Sequence, residues 1–216
     1  REENVWLERG KLVIEARKEK IANEAFTSAE DKNWRKKKKS TKYTSGSVTT
    51  KGFAEWKYGK IEVRARLPKG VGAWSAIWML GADLDEVGWI KSGEIDIMEN
   101  VGFDPNMILG TIHTEAYNYE NKTEKAGKIE IADPHNEYHN YAIEWTPERI
   151  DFSVDEKIYY TFKNPKKTEA EWPFDQKFHL KINTAVGGTW GGRKGIDDKS
   201  FPQTMYIDYV RVYQKR

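Results

Sequence analysis

Apolar side chains recur at every second position in eleven short runs: Lys11 to Arg17, Ser45 to Thr50, Lys60 to Leu67, Trp74 to Leu80, Glu94 to Glu99, Ile108 to His113, Tyr141 to Trp145, Ile150 to Val154, Ile158 to Phe162, His179 to Val186 and Met205 to Tyr213. A period of two turns alternate residues to opposite faces of a strand, and these runs are rich in the β-branched and aromatic types that strands favour. Turn clusters such as Pro68-Lys69-Gly70, Val154-Asp155-Glu156-Lys157 and Gly187-Gly188 punctuate them, as tight antiparallel reversals require. No stretch carries the 3.6-residue period of an amphipathic helix through three turns. Many short half-apolar strands bury themselves by stacking two sheets, so the expected fold is an all-β, two-sheet sandwich. The 216 residues suit one such unit.

Charge and composition narrow the function. Lys and Arg number 36 against 34 Asp and Glu, a net charge of +2, too balanced for a protein dedicated to nucleic acid or to a membrane surface. Without cysteine there is no thiol nucleophile, thiolate metal site or disulfide framework. No apolar stretch approaches the roughly 20 residues of a spanning helix. The chain starts at Arg1 without a basic, apolar leader, the mark of a processed or excised piece. Aromatic residues make up 13%, nine of them Trp, more indole than core packing asks for. Flat sugar faces and planar bases both stack on such rings.

Lys20 to Tyr43 departs from the strand rhythm. Seven of the eleven residues from Lys32 to Lys42 are basic, which reads as a solvated surface loop or as an anion-binding patch.

The run Gly93-Glu94-Ile95-Asp96-Ile97-Met98-Glu99-Asn100 carries the chemistry. Alternation puts Glu94 and Asp96 on one face and Ile95 and Ile97 toward the core, but would also turn Glu99 inward, where an unpaired carboxylate is costly. One extra residue, a β-bulge near Ile97 and Met98, returns Glu99 to the face of the other two acids. Two Glu carboxyls would then stand about 5 to 6 Å apart, the spacing of a retaining glycosidase. Such an enzyme needs one carboxylate that attacks and one carboxylic acid that donates a proton, and Asp96 between them can share a hydrogen bond that tunes the pair. The competing reading is a polar, solvent-facing strand.

At these residues the sequence resembles glycoside hydrolase family 16, and within it the laminarinases, endo-acting β-1,3-glucanases. The resemblance spans nearly the whole chain: Leu12 to Arg17, Tyr58 to Arg64, Trp74 to Leu80, the acidic strand, Gly110 to His113, Ala185 to Gly188 with Trp190, and Asp208 to Tyr213. The E-x-D-x-x-E spacing matches the bulged form of the family rather than the E-x-D-x-E of lichenases and xyloglucan transglycosylases. The resemblance implies a jelly-roll sandwich with a concave cleft, Glu94 as nucleophile, Glu99 as acid/base and Asp96 as the assisting carboxylate. It also implies sugar contacts from Glu62, Arg64 and Asn183, stacking from Trp74, Trp78, Trp89 and Trp190, and a role beside the acids for His113. Ordinary strand positions and core filling are the competing readings of these residues.

By the same resemblance the chemistry takes no cofactor, while Asp208 matches an Asp that helps to hold a structural Ca²⁺ in relatives. Residues 1–216 are then a single catalytic domain that lacks the family's usual N-terminal segment, and 20–43 is an inserted basic loop that narrows the cleft toward curved β-1,3-glucan. The expected protein is a secreted or cell-surface monomer acting on a polysaccharide, laminarin-like β-1,3-glucan, and extending to mixed-linkage 1,3-1,4-β-glucan. Two other readings stand beside it: a relative acting on agarose or carrageenan, whose sulfate esters the basic loop would meet, and a non-catalytic β-glucan-binding module. Two patterns fall away. Gly187 to Lys194 lacks the Lys spacing and the helix of a phosphate loop, and His135-Asn136-Glu137-Tyr138-His139 is a turn rather than a zinc helix.

Overall fold

A computed structural model describes residues 1–215, Trp34 by its backbone alone. The strands are, in chain order, β1 (Val5–Glu8), β2 (Lys11–Ala22), β3 (Ser40–Thr44), β4 (Ser47–Thr49), β5 (Gly59–Arg66), β6 (Ala73–Gly81), β7 (Glu94–Val101), β8 (Met107–His113), β9 (Lys125–Glu130), β10 (His139–Trp145), β11 (Arg149–Val154), β12 (Lys157–Lys163), β13 (Phe178–Val186) and β14 (Gln203–Tyr213). One α-helical turn, α1 (Leu84–Val87), interrupts them. An eight-stranded sheet runs β1-β2-β14-β5-β10-β11-β12, with β3 added to β2, and a six-stranded sheet runs β4-β13-β6-β7-β8-β9. All pairings are antiparallel, as the expected jelly-roll sandwich requires.

The core is the layer between the sheets. Ile61, Val63 and Ala65 of the larger sheet and Ile77, Met79, Ile95 and Ile97 of the smaller are closed to solvent. Each buried branched side chain contributes about 1.5 to 3 kcal/mol relative to exposure, which is what holds two curved sheets face to face. Because alternate residues fill the core, the outer face of each sheet is fixed by parity. The six-stranded sheet shows Trp74, Trp78, Glu94, Asp96, Lys181 and Asn183 outward, and the eight-stranded sheet shows Lys60, Glu62 and Arg64.

All eleven alternating runs are strands; β1, β3 and β9 lie outside them. In β9 the sequence KAGKIE is half charged and mostly exposed, so it carries no apolar period. The segment 20–43 is shorter as a loop than the sequence suggests. Antiparallel pairing of Arg17 with Thr44 and of Ala22 with Ser40 makes its two ends a ribbon. What remains, 23–39, is ordered by its own hydrogen bonds: Asn23 Nδ2 donates to the carbonyls of Arg35 at 2.7 Å and Lys38 at 2.8 Å. Tyr43 stacks on Phe201 and donates its hydroxyl to Asp198, which pins the ribbon to the segment between β13 and β14.

Candidate active site

The entry to β7 depends on Gly93. Its φ is +81°, and a Cβ there would lie 2.7 Å from Pro173 Cγ, so the turn that delivers Glu94 admits no side chain. Further along, Trp78 pairs with Asp96 and Ile77 with Met98, leaving Ile97 as the extra residue against β6. Against β8, Asp96 pairs with Thr111 and Glu99 with Leu109, so Ile97 and Met98 together oppose Gly110. This is the expected bulge. Both bulged side chains enter the core, at 1% and 0% exposure, and Glu99 emerges on the face of Glu94 and Asp96. Opposite the bulge, a Cβ on Gly110 would meet Phe152 Cδ1 at 2.5 Å and the Tyr159 hydroxyl at 2.6 Å. Rings from the other sheet occupy that space.

Each glutamate is held by an indole. Trp89 Nε1–H donates to Glu94 Oε2 at 2.8 Å, and Trp74 Nε1–H donates to Glu99 Oε1 at 2.9 Å. Burial pushes Glu94 up to about 7; the Trp89 hydrogen bond opposes this, the charge of Glu99 adds to it, and Lys181 and a hydrogen bond from Asp96 pull it back. Burial likewise pushes Glu99 up to about 7, against hydrogen bonds from Trp74 and Thr111. Asp96 is raised well above the usual carboxylate range, by burial first and then by the charges of both glutamates. The ordering is chemically useful: Asp96 keeps its proton and shares it with the Glu94 carboxylate only as a hydrogen bond, so the charge stays on Glu94.

His113, paired with Glu94 across β7 and β8, brings Nε2 to 3.4 Å from Asp96 Oδ2. Burial lowers His113 to about 4, so the ring is neutral and the contact is not an ion pair. Among the described residues, Glu94, Asp96 and His113 are the group whose ligand atoms come within 4.8 Å of one another, and the acid–base arrangement already engages them.

The rest of the predicted set divides between the two faces. Asn183 lies on the site's floor and accepts the Trp78 indole N–H at 2.8 Å. Trp190 meets Trp74 edge-on, with centroids 5.6 Å apart, on the Glu99 side of the strand. Trp89 packs beside Tyr119 at 5.2 Å on the Glu94 side. Trp78 is not the open stacking platform that its spacing suggests, because the Lys181 ammonium sits 4.5 Å from its ring centroid. Glu62 and Arg64 are not in the site at all. Ile61, Val63 and Ala65 between and beside them fill the core, so parity turns Glu62 and Arg64 to the far outer face of the sandwich. There Glu62 pairs with Lys60 at 2.8 Å and Arg64 with Asp208 at 2.6 Å.

That second pairing corrects the calcium expectation too. One Asp208 oxygen accepts from Lys11 Nζ at 3.0 Å and the other from Arg64 Nη1 at 2.6 Å. Those two hydrogen bonds hold the carboxyl below its ordinary range. A carboxylate with both oxygens engaged by cations does not fit a Ca²⁺ site.

Lys181, Thr111 and Tyr119 are site residues that the sequence reading missed. Lys181 was within reach, since it stands two residues before Asn183 on one strand and shares its face. Tyr119 comes from an irregular segment after β8, where no period points.

A family model described as glycosyl hydrolases family 16 matches residues 12–211. The chain is 46% identical over 220 residues to a β-glucanase of Rhodothermus marinus, covering 98% of this chain and 71% of that protein. It is 35% identical over 228 residues to glucan endo-1,3-β-glucosidase A1 of Niallia circulans, covering 99% of this chain but only 31% of that protein. In structure it is similar to the laminarinase from Rhodothermus marinus, with a TM-score of 0.86 at 44% identity, over 99% of this chain and 81% of that one.

Proposed function

The chain belongs to glycosyl hydrolase family 16, and from that premise we propose that it is an endo-β-1,3-glucanase working by retaining double displacement. The substrate is laminarin-like β-1,3-glucan, with mixed-linkage 1,3-1,4-β-glucan within range. The carrying observation is the bulged strand that sets Glu94 and Glu99 on one outer face, each bonded to an indole and each pushed to about 7. A proton affinity near neutrality lets one carboxyl begin the reaction charged and the other protonated.

In the first step the Glu94 carboxylate attacks the anomeric carbon and the glycosidic C–O bond breaks, while Glu99 gives its proton to the departing oxygen. In the second, Glu99 takes a proton from water, the water oxygen bonds to the anomeric carbon, and the ester to Glu94 breaks. Asp96 stays protonated and holds Glu94 in place. Proton transfer and a carboxylate nucleophile complete the cycle, so no cofactor enters it.

Trp74, Trp89 and Trp190 line the cleft as stacking surfaces for pyranose faces, and Asn183 and His113 bond to sugar hydroxyls. Residues 1–216 act as a single catalytic domain, and one strand of one chain supplies all three acids, so the site needs no second subunit and a monomer suffices. A polymer too large to cross a membrane places the enzyme outside the cytoplasm, secreted or at the cell surface.

Reducing-sugar release from laminarin, mixed-linkage glucan, agarose and carrageenan tests this reading. Release from laminarin with β-configured product, abolished in Glu94→Gln, supports it. A folded protein that retains laminarin in affinity electrophoresis and releases nothing is a binding module instead.

A further inference from the structure

Four strands carry a row of outward side chains across the floor of the site. Thr49 pairs with Lys181, Lys181 with Trp78, and Trp78 with Asp96, so the row runs from the β4 edge of the sheet straight to the acids. Two strand spacings separate Lys181 from Asp96, about 10 Å, which is beyond the sugar ring being cleaved.

Lys181 is half-buried, and its ammonium rests on Trp78 with no carboxylate in salt-bridge range among the described residues. Its charged surroundings are mixed. Burial lowers its proton affinity most; Glu94 on β7 draws it up, while Arg35 from the 23–39 loop and Lys51, itself paired with Asp85 at 2.7 Å, push it further down; His179 lies two residues away on its own strand. A cation kept partly out of water, over an aromatic face and near other cations, is poorly matched to a neutral chain alone. It is well matched to an arriving anion.

We infer that Lys181, seated on Trp78, is a cationic subsite for an anionic substituent on the glucan, a sulfate ester or a carboxylate. The inference rests on the glucanase reading and deepens it. Trp78 takes the part of a pedestal: its N–H fixes Asn183 and its face holds the ammonium above the floor, where the next sugar along the row would present a substituent.

The test compares kcat/KM on laminarin, sparsely sulfated laminarin and sparsely carboxymethylated laminarin for the wild type, Lys181→Met and Lys181→Arg. The readout is the ratio of anionic to neutral substrate. The expected result is a ratio above one for at least one derivative, dropping about tenfold in Lys181→Met, preserved in Lys181→Arg and eroded by added salt. Which derivative shows it identifies the anion. A wild-type ratio of one or less for both derivatives, or a ratio that Lys181→Met leaves unchanged, overturns the subsite while leaving the glucanase intact. No release from any of the three by folded wild type overturns the glucanase reading itself, and the subsite with it.

Discussion

The indole N–H of Trp74 donates to Glu99 Oε1 at 2.9 Å, and through that bond an aromatic wall of the cleft offsets part of the rise in proton affinity that burial gives the acid. Trp89 does the same for Glu94 at 2.8 Å. A hydrogen bond to a carboxylate favours its ionised form, so removing it raises the pKa. The consequences differ because the two carboxyls begin the reaction in opposite states. Trp74→Phe should carry the basic limb of the kcat/KM profile up by about one pH unit, since Glu99 then keeps its proton longer. Trp89→Phe should carry the acid limb up by a similar amount, since Glu94 then ionises later. One variant widens the bell and the other narrows it, and pH–rate profiles of both decide the matter. Movement of the same limb in both would reverse or void the assignment of roles.

The acids that perform the reaction also weaken the fold above neutral pH. Glu94 and Glu99 have folded-state values of about 7 against an ordinary 4.5, so the folded chain holds their protons more tightly than the unfolded chain. The stability this contributes is fully present below pH about 4.5 and is lost as pH rises to about 7. For one carboxyl the loss is about 3 kcal/mol. Glu94→Gln, which cannot ionise, should therefore melt higher than wild type at pH 8, by roughly 6 to 12 °C for a chain of this size. The difference should close near pH 4. Thermal melts across that range check it, and a gap independent of pH would point to packing instead.

Much of this site was legible in the sequence because the physical demand was local. Acids at 94, 96 and 99 of one strand cannot share a face without an extra residue, and the bulge falls at Ile97 and Met98 for that reason. Alternation also located eleven of the strands. What was not legible depends on which sheet a strand joins. Glu62 and Arg64 sit at sound outward positions, but parity within a strand says only that they face away from the core, not which of two outer faces they reach. The pairing of Asp208 with Lys11 and Arg64 is likewise a tertiary fact, linking residues 197 and 144 positions apart. The ribbon formed by β3 and the distal half of β2 was not legible because those stretches are polar and only partly buried, held by backbone pairing rather than by an apolar period.

The 23–39 loop makes a separate prediction. Its backbone is held by Asn23, and the Arg35 charge reaches Lys181 on the cleft floor. Replacing 23–39 by a two-residue turn should leave the ribbon paired, since Ala22 and Ser40 already face each other. If the loop walls the cleft and selects the curved chain, the preference for laminarin over mixed-linkage glucan should then fall several-fold. Initial rates on both polymers give the answer, and an unchanged ratio would remove the loop from any account of specificity.

Gly93 allows the geometry of Glu94 to be separated from its chemistry. A side chain there meets two penalties: the left-handed conformation at φ +81°, about 1 to 2 kcal/mol, and the approach of Pro173 Cγ at 2.7 Å. Gly10 supplies the control, with φ +78° and nothing within 4 Å of a built Cβ. Gly10→Ala should lower the melting temperature by roughly 2 to 8 °C and leave kcat alone. Gly93→Ala should lower it further and also cut kcat, on the order of tenfold or more, because a displaced β7 entry carries the nucleophile off its line of attack. Assayed well below both melting temperatures, equal kcat in the two variants would mean that β7 absorbs the strain without moving Glu94.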